Sequence, residues 1–143
     1  MTLKQLIKIE DKAKEVWVVS PNLHYDTENA MFSELVSVNR NEKTKYRYIV
    51  PATKQVVKNM ELYKKMFSLT DDEMNKNFLV LPDTSYTPFI MEVGIYDANT
   101  KCAAYAAPAL EGGDEVIQFD SKTSETFAKE FKALWKTFKR EKL

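Results

Sequence analysis

Three side chains able to hydrogen-bond a small polar molecule follow the first apolar run of the chain. Ser20, Asn22 and His24 supply a hydroxyl, an amide and an imidazole. They come directly after the β-branched run 16–19, which predicts a buried strand. Because ligands of open α/β sheets usually bind where strands end, this loop is a candidate ligand-binding edge. The alternative is that Ser20, Asn22 and Asp26 only cap the turn and the following helix.

Two further places in the sequence carry polar groups of interest. Glu92 lies inside an otherwise apolar strand pattern, where a buried carboxylate is costly unless it has a partner. It either faces solvent or lines a polar pocket or interface. The loop 83–87 begins with Asp83 and is rich in hydroxyl groups, and it either meets the edge near His24 or is an ordinary surface loop.

Counts of rare residues exclude several kinds of chemistry. The 143 residues include one cysteine, Cys102, and one histidine, His24. These counts exclude an intramolecular disulfide, a zinc finger, an iron–sulfur cluster and a Cys-x-x-Cys redox pair. The three glycines, Gly94, Gly112 and Gly113, form neither a dinucleotide-binding motif nor a Walker loop, and no G-x-S-x-G elbow is present. We therefore predict no metal and no cofactor.

Helical and strand patterns alternate through the first half of the chain. A capping box at Thr2 and Gln5 predicts a first helix over residues 1–14, unless this segment is a linker remnant. The segments that follow predict a strand at 16–19, a helix at 26–41, a strand at 46–50 and a helix at 53–68. This last helix is predicted to bury Val56, Val57, Met60, Tyr63 and Phe67. An alternating order of this kind is typical of a parallel sheet.

The second half lacks room for helices between its strands. A short helical turn at 71–76 precedes strands predicted at 78–81, 89–96, 101–107 and 116–119. A closing helix over 121–140 presents Phe127, Phe131, Leu134, Trp135 and Phe138 on one face. We therefore predict one α/β domain over residues 1–143, with a single mixed sheet of about six strands flanked by helices on both faces.

The charge pattern gives little support for a polyanionic partner. Basic and acidic residues number 21 each, and basic excess is confined to segments 40–65 and 121–143. These segments fall on predicted helices at solvent-side positions such as Lys54, Lys58 and Lys65, so we predict no direct binding of nucleic acid. We also predict a cytoplasmic protein without a membrane partner, because no apolar run or signal peptide is present and a free thiol suits a reducing compartment.

Four phrases of the sequence resemble a single phospholipase D-like domain. They are the run 16–22, the strand 45–51, the strand 89–96 with its following Asp97, and the closing motif Phe131-x-x-Leu134-Trp135. The catalytic signature of that family is His-x-Lys-x4-Asp. Aligned on Asp97, it places Glu92 at the lysine position and Ile90 at the histidine position.

The resemblance implies a domain that does not catalyse. Ile90 cannot attack phosphorus, and Glu92 would repel a phosphate rather than hold it. The expected function is a regulatory or small-ligand-sensing module, with Ser20, Asn22, His24, Asp83, Glu92 and Asp97 as candidate ligand-binding residues. Because the family builds its site between two such domains, the resemblance also implies a homodimer paired near Ile90, Glu92 and Tyr96.

Two alternatives from other functional classes stay open. One is a small nucleotide- or nucleoside-processing enzyme that uses a helix glutamate, with Glu28 or Glu34 as the candidate. Its sheet would alternate strands and helices to the end, whereas antiparallel neighbours in the second half would favour the phospholipase D-like domain. The other is a protein-interaction domain that docks a partner on its aromatic C-terminal helix, which requires Trp135 and Phe138 to be exposed.

Overall fold

The helices and strands follow the predicted order along the chain. The computed structural model describes residues 1–82, 91–109 and 113–143. The helices are α1 (Leu3–Lys12), α2 (His24–Glu28), α3 (Ala30–Asn41), α4 (Lys54–Met66), α5 (Asp71–Asn77) and α6 (Ser121–Lys139). The strands are β1 (Glu15–Val19), β2 (Lys45–Pro51), β3 (Phe78–Leu81), β4 (Met91–Tyr96), β5 (Ala103–Pro108) and β6 (Ile117–Gln118).

Within the described residues the six strands form one mixed sheet in the order β3-β2-β1-β4-β5-β6. The pairs β1–β2 and β2–β3 are parallel, because each is joined by a crossover containing helices. The pairs β1–β4, β4–β5 and β5–β6 are antiparallel. This topology confirms the predicted α/β class with a single mixed sheet of about six strands.

The two faces of the sheet carry separate apolar cores, because successive strand residues point to opposite sides. One face, with Val16, Val18, Tyr46 and Tyr48, packs against the helices of the first half of the chain. The other face, with Trp17 and other inward-facing strand residues, packs against α6. Helices therefore cover both faces, as predicted.

The predicted helix over 26–41 is two helices, not one. Asn29 is extended (φ −100°, ψ 115°) and separates α2 from α3. Its Oδ1 accepts hydrogen bonds from the N–H groups of Met31 and Phe32, at 3.1 and 3.2 Å. Asn29 thus caps α3, which explains why the helical periodicity continues across a break in the helix.

The predicted buried faces of α4 and α6 each need a correction. Val57 is 57% exposed, and Asn59 is buried in its place because its amide donates to the carbonyl of Asn22 at 2.8 Å. On α6, Trp135 is fully buried while Phe138 is 52% exposed near the end of the helix. The partner-docking alternative requires both aromatic rings to be exposed, and the burial of Trp135 counts against it.

Two strand boundaries also differ from the prediction. The strand predicted from residue 101 begins at Ala103, because Cys102 has a positive φ of 34° within the preceding turn. The strand predicted over 116–119 is reduced to Ile117–Gln118. Of the strand predicted over 89–96, Met91–Tyr96 is described and residues 89 and 90 lie outside the described part.

Among the described helices, none combines the length and apolar character needed to cross a membrane.

Candidate functional site

The candidate ligand-binding residues lie at two opposite ends of the sheet. Ser20, Asn22 and His24 follow the carboxyl end of β1, and Glu92 is beside them because Val19 pairs with Val93 on the antiparallel β4. Asp97 follows the other end of β4, at the level of Glu15. Asp83 and the rest of its loop, and Ile90, lie outside the described residues. Ser20, Asn22, His24 and Glu92 therefore lie at one end of the sheet and Asp97 at the other, but of these only Glu92 is among the described residues that line the cavity considered below.

The side chains of Ser20 and Asn22 hold the loop after β1 together. The buried Ser20 Oγ accepts a hydrogen bond from the N–H of Leu23 at 2.8 Å. Asn22 Oδ1 accepts from the N–H of His24 at 3.0 Å, and its Nδ2 donates to the carbonyl of Ala109 at 2.8 Å. These contacts fit the capping alternative, and they fix the position of Leu23, whose φ of 57° is unusual for a branched residue.

His24 pairs with an acidic residue on its own helix. Its Nδ1 lies 3.0 Å from Glu28 Oε2, one turn along α2. Glu28 Oε2 also accepts from Asn59 Nδ2 at 3.4 Å. Of the two glutamates considered for a nucleotide-processing enzyme, Glu28 makes these contacts and Glu34 is exposed on α3. The antiparallel neighbours of β4 and β5 likewise favour the phospholipase D-like domain over that enzyme class.

Asp97 organises the turn between β4 and β5. Its Oδ1 accepts hydrogen bonds from the N–H groups of Lys14 and Glu15, at 2.9 and 3.0 Å. Its carbonyl accepts from the N–H groups of Thr100 and Cys102, both at 2.9 Å. Its φ is 48°, a left-handed conformation that Asp and Asn tolerate better than other side chains.

We expect Asp97→Ala to lower the free energy of unfolding by about 1–3 kcal/mol, because it leaves two N–H groups without an acceptor and strains the turn. Asp97→Asn keeps an acceptor oxygen and tolerates the positive φ, so it should cost less than about 1 kcal/mol. Urea denaturation followed by circular dichroism measures both variants. Equal losses for the two would contradict this structural role.

Glu92 faces the interior of the domain. It lines a cavity with room of about 20 Å³ for the centre of a water molecule, enough for a single water. Among the described lining residues none is basic; they are Leu6, Glu10, Val18, Tyr25, Asp26, Phe32, Glu92, Gly94, Tyr96, Tyr105 and Ala107. Of the two positions predicted for Glu92, the lining of this cavity favours the polar pocket, and the residue keeps intermediate solvent exposure.

Three carboxyl groups line this cavity, each from a different element: Glu10 from α1, Asp26 from α2 and Glu92 from β4. Burial, reinforced by Asp26, raises the pKa of Glu10 to about 8. Burial also raises the pKa of Asp26 to about 6, against the lowering effect of its hydrogen bond from Tyr48 and of the charge of Arg40. The pKa of Glu92 is raised well above its ordinary value by burial and by Asp26. Compared with a carboxyl in water, burial shifts each of the three towards its protonated form, although Asp26, with a pKa of about 6, is still mostly ionised at pH 7.

Tyrosine hydroxyls surround these carboxyls. Tyr46 and Tyr96 donate to the two oxygens of Glu10 at 3.0 and 2.9 Å. Tyr48 donates to Asp26 Oδ2, and Tyr63 donates to the hydroxyl of Tyr48 at 2.9 Å. Burial raises the pKa of Tyr48 and of Tyr63, so both hydroxyls keep their protons. The network extends from α1 across the sheet to α4.

Arg40 ends this network on the side of α3. Its Nε and one terminal nitrogen donate to the hydroxyl of Tyr63 at 2.9 and 2.6 Å. The same terminal nitrogen donates to Asn77 Oδ1 at 2.7 Å. The guanidinium is therefore engaged by uncharged oxygens and acts on Asp26 through its charge rather than by direct contact.

A glycine between the two polar residues of β4 makes room for this arrangement. A Cβ at Gly94 would lie 2.8 Å from the hydroxyl oxygen of Tyr96, because that ring folds back over the strand towards Glu10. A methyl group there would push Tyr96 away from Glu10. The sequence Glu92-x-Gly94-x-Tyr96 thus places a carboxyl, an open space and a hydroxyl on one face of the strand.

The arrangement is suited to hydrogen bonding and not to phosphoryl transfer. Burial shifts its acids towards their protonated forms, and the described lining residues include no cation to hold a phosphate. Within the described residues no three His, Cys, Asp or Glu side chains are placed to hold a metal ion.

Sequence reasoning missed most of this cluster. The sequence predicts Asp26 only as a cap and predicts no functional role for Glu10. The signal was available in two places: Glu10 lies in register with Leu3 and Leu6 on α1, and Tyr46 and Tyr48 alternate on β2. A carboxyl on a buried helix face requires a polar partner, which two inward-facing tyrosines supply.

The sequence analysis places a homodimer surface near Ile90, Glu92 and Tyr96. At Tyr96 the structure disagrees with this expectation. That residue is 5% exposed and bonded to Glu10 beneath α1, so it is part of the interior of the domain.

The fold is a single mixed six-stranded sheet with helices on both faces, within the residues that the structure describes. Three parallel strands, three antiparallel strands and helices on both faces support the architecture expected from the sequence. Among solved structures, the chain is similar to the polyphosphate kinase from Porphyromonas gingivalis, with a TM-score of 0.51 and 10% sequence identity. The match covers 96% of this chain and 24% of that chain, so this chain spans about a quarter of the polyphosphate kinase. At this identity the likeness shows the fold alone.

No model of a protein family matches the chain, and no curated protein does.

Proposed function

We propose that this chain is a non-catalytic phospholipase D-like domain that acts as a regulatory module, senses a small polar ligand and pairs as a homodimer. The observation that carries the proposal is the position of Glu92. Its carboxyl stands where the sequence alignment places the phosphate-holding lysine, and it faces a cavity lined by Glu10 and Asp26. A phosphoester anion is repelled from such a lining.

The same lining supports a ligand that is neutral or cationic. Protonated carboxyls and tyrosine hydroxyls both donate and accept hydrogen bonds, and the rings of Tyr25, Phe32 and Tyr105 add aromatic surface. Because the cavity admits about one water molecule in this state, a larger ligand requires the covering helices α1 and α2 to move.

We expect the purified protein to leave bis(p-nitrophenyl) phosphate intact at pH 5 to 9, because the described residues of the site include no nucleophile paired with a phosphate-holding cation. Release of nitrophenolate at 405 nm measures the reaction. The control is the Asp97→Asn variant, which keeps the fold. Hydrolysis by the wild type that disappears in Asp97→Asn would contradict the proposal.

The pairing is tested separately by light scattering at tens of micromolar protein. A dimer mass supports the homodimer, and a monomer mass at that concentration removes it from the proposal. Residues 83–90 and 110–112 lie outside the described structure, so solution mass is the appropriate measurement.

A further inference from the structure

The helix α1 is attached to the sheet by apolar side chains and by one buried carboxyl group. Leu3, Leu6 and Glu10 are its three buried side chains. Glu10 accepts from Tyr46 on β2 and from Tyr96 on β4, so it contacts two strands on either side of β1. Ile7 and Ile9 also pack against this core, and Glu10 is the buried charged side chain of the docked face.

A second polar contact ties the same position to α3. The buried side chain of Asn39 donates from Nδ2 to the hydroxyl of Tyr46 at 3.0 Å and to the backbone carbonyl of Glu10 at 3.3 Å. The hydroxyl of Tyr46 therefore has a donor on one side and the carboxyl of Glu10 on the other. These bonds position Glu10 above the centre of the sheet and away from solvent.

The charges around Glu10 do not balance an ionised carboxylate. Asp26 and Glu92 are acidic neighbours in the same cavity. Arg40 is the described basic group facing the cluster, and its hydrogen bonds go to Tyr63 and Asn77. The titratable and charged groups that face Glu10 and its partners are Tyr46 and Tyr48 on β2, Glu92 and Tyr96 on β4, Tyr25 and Asp26 on α2, Arg40 on α3 and Tyr63 on α4.

We propose that protonation of Glu10 controls the docking of α1: the helix lies on the sheet while this carboxyl carries its proton, and it undocks by local opening when the proton is lost. The inference rests on the contacts of α1 alone and holds whether or not the domain binds a ligand or forms a dimer. Undocking uncovers the cavity, because Leu6 and Glu10 form part of its wall.

The direction of the pH dependence follows from the two states of Glu10. In the docked state its pKa is about 8, and in the opened state the carboxyl meets water and returns to its ordinary value of 4.5. Between these values, opening releases one proton, so the equilibrium constant for opening rises about tenfold for each pH unit. Below pH 4.5 both states are protonated, and above about pH 8 both are ionised, so the constant becomes flat.

Native-state hydrogen exchange at pH 5.5, 6.5 and 7.5 tests the proposal on the full chain. We expect the opening constant of the α1 amides, corrected for intrinsic exchange, to rise about 100-fold from pH 5.5 to 7.5. The amides of β1 and β2 should keep their protection over the same range. Equal loss of protection in α1 and β1 would show global unfolding and overturn the proposal.

Two variants separate the carboxyl from the helix as a whole. Glu10→Gln keeps an acceptor oxygen and cannot ionise, so the opening constant of its α1 amides should rise much less steeply with pH than that of the wild type. Asp11→Asn changes an exposed carboxyl one position along the same helix, so it should keep the wild-type profile. The reverse pattern would overturn the proposal.

A measurement on the wild type does not depend on the folding of any variant. The carboxyl carbon of Glu10, followed by carbon-13 NMR, should titrate near pH 8. Titration near 4.5 in the folded protein would overturn the proposal directly.

Discussion

Replacing Trp135 by alanine should lower the free energy of unfolding by about 3–5 kcal/mol, the range for deleting a large buried aromatic side chain. Trp135 lies on the sheet-facing side of α6 and is fully buried. Its ring stacks on Phe131 at a centroid distance of 5.7 Å, and Phe131 stacks on Trp17 of β1 at 4.9 Å. These three rings join α6 to the centre of the sheet, so the variant leaves a cavity that its rigid neighbours cannot fill.

The matched control is Phe138→Ala, three residues further along the same helix. Because Phe138 is 52% exposed, its removal should cost less than about 1 kcal/mol. Urea denaturation of both variants, followed by circular dichroism, provides the comparison. A Trp135→Ala protein as stable as the wild type would contradict the burial of this ring and would restore the partner-docking alternative.

Replacing Arg40 by alanine should lower the free energy of unfolding by about 2–4 kcal/mol at pH 7, because hydrogen bonds made by a charged group are lost inside the domain. Tyr63 loses two donors and Asn77 loses one. The guanidinium also lies 5.0 Å from the centroid of the Tyr63 ring, a cation–π contact that disappears with it.

The cost of Arg40→Ala should be larger at pH 7 than at pH 4. The pKa of Asp26 in the folded protein, about 6, lies above its ordinary value of 3.8, so stability falls as the pH rises through this interval. Arg40 holds that pKa down, and its removal raises the pKa and widens the interval. Chemical denaturation at the two pH values measures the difference.

Arg47→Ala is the control for a charge on the opposite face of the sheet. Arg47 pairs with Glu15 at 2.7 Å, and both side chains are partly exposed. Water screens this pair, so its removal should cost no more than about 1 kcal/mol. An equal cost for the two arginines would contradict the assignment of Arg40 to a buried network.

The fold could be predicted from the sequence where local pattern and burial agree. The apolar run Val16–Val19 predicts a central strand, and the lack of room for helices between the strands predicted over 89–119 indicates the antiparallel half of the sheet. The break at Asn29 was not predictable from periodicity, because the apolar positions of α3 continue in phase through the preceding turn. The capping side chain of Asn29 sets that boundary. The backbone geometry of the folded chain positions the N–H groups that this side chain accepts from.

Of the three carboxyl groups that line the cavity, only Glu92 could be predicted from the sequence as a candidate site residue. Glu92 was identified as an acid in an apolar strand, but its partners lie on separate elements, α1 and α2. The sequence separation between Glu10 and Tyr96 is 86 residues, and only the order of the strands brings them together. Asp97 was assigned to ligand binding by alignment, whereas its hydrogen bonds go to the backbone of its own turn.

Cys102 offers an internal reporter for one side of the molecule. Its thiol is buried with the α6 core, and burial raises its pKa, so reaction with a maleimide requires the α6 layer to separate from the sheet. The helices of the opposite layer can open without exposing it. The kinetics of thiol modification therefore follow the motion of one layer, and a fluorophore attached there would leave the carboxyl cluster undisturbed.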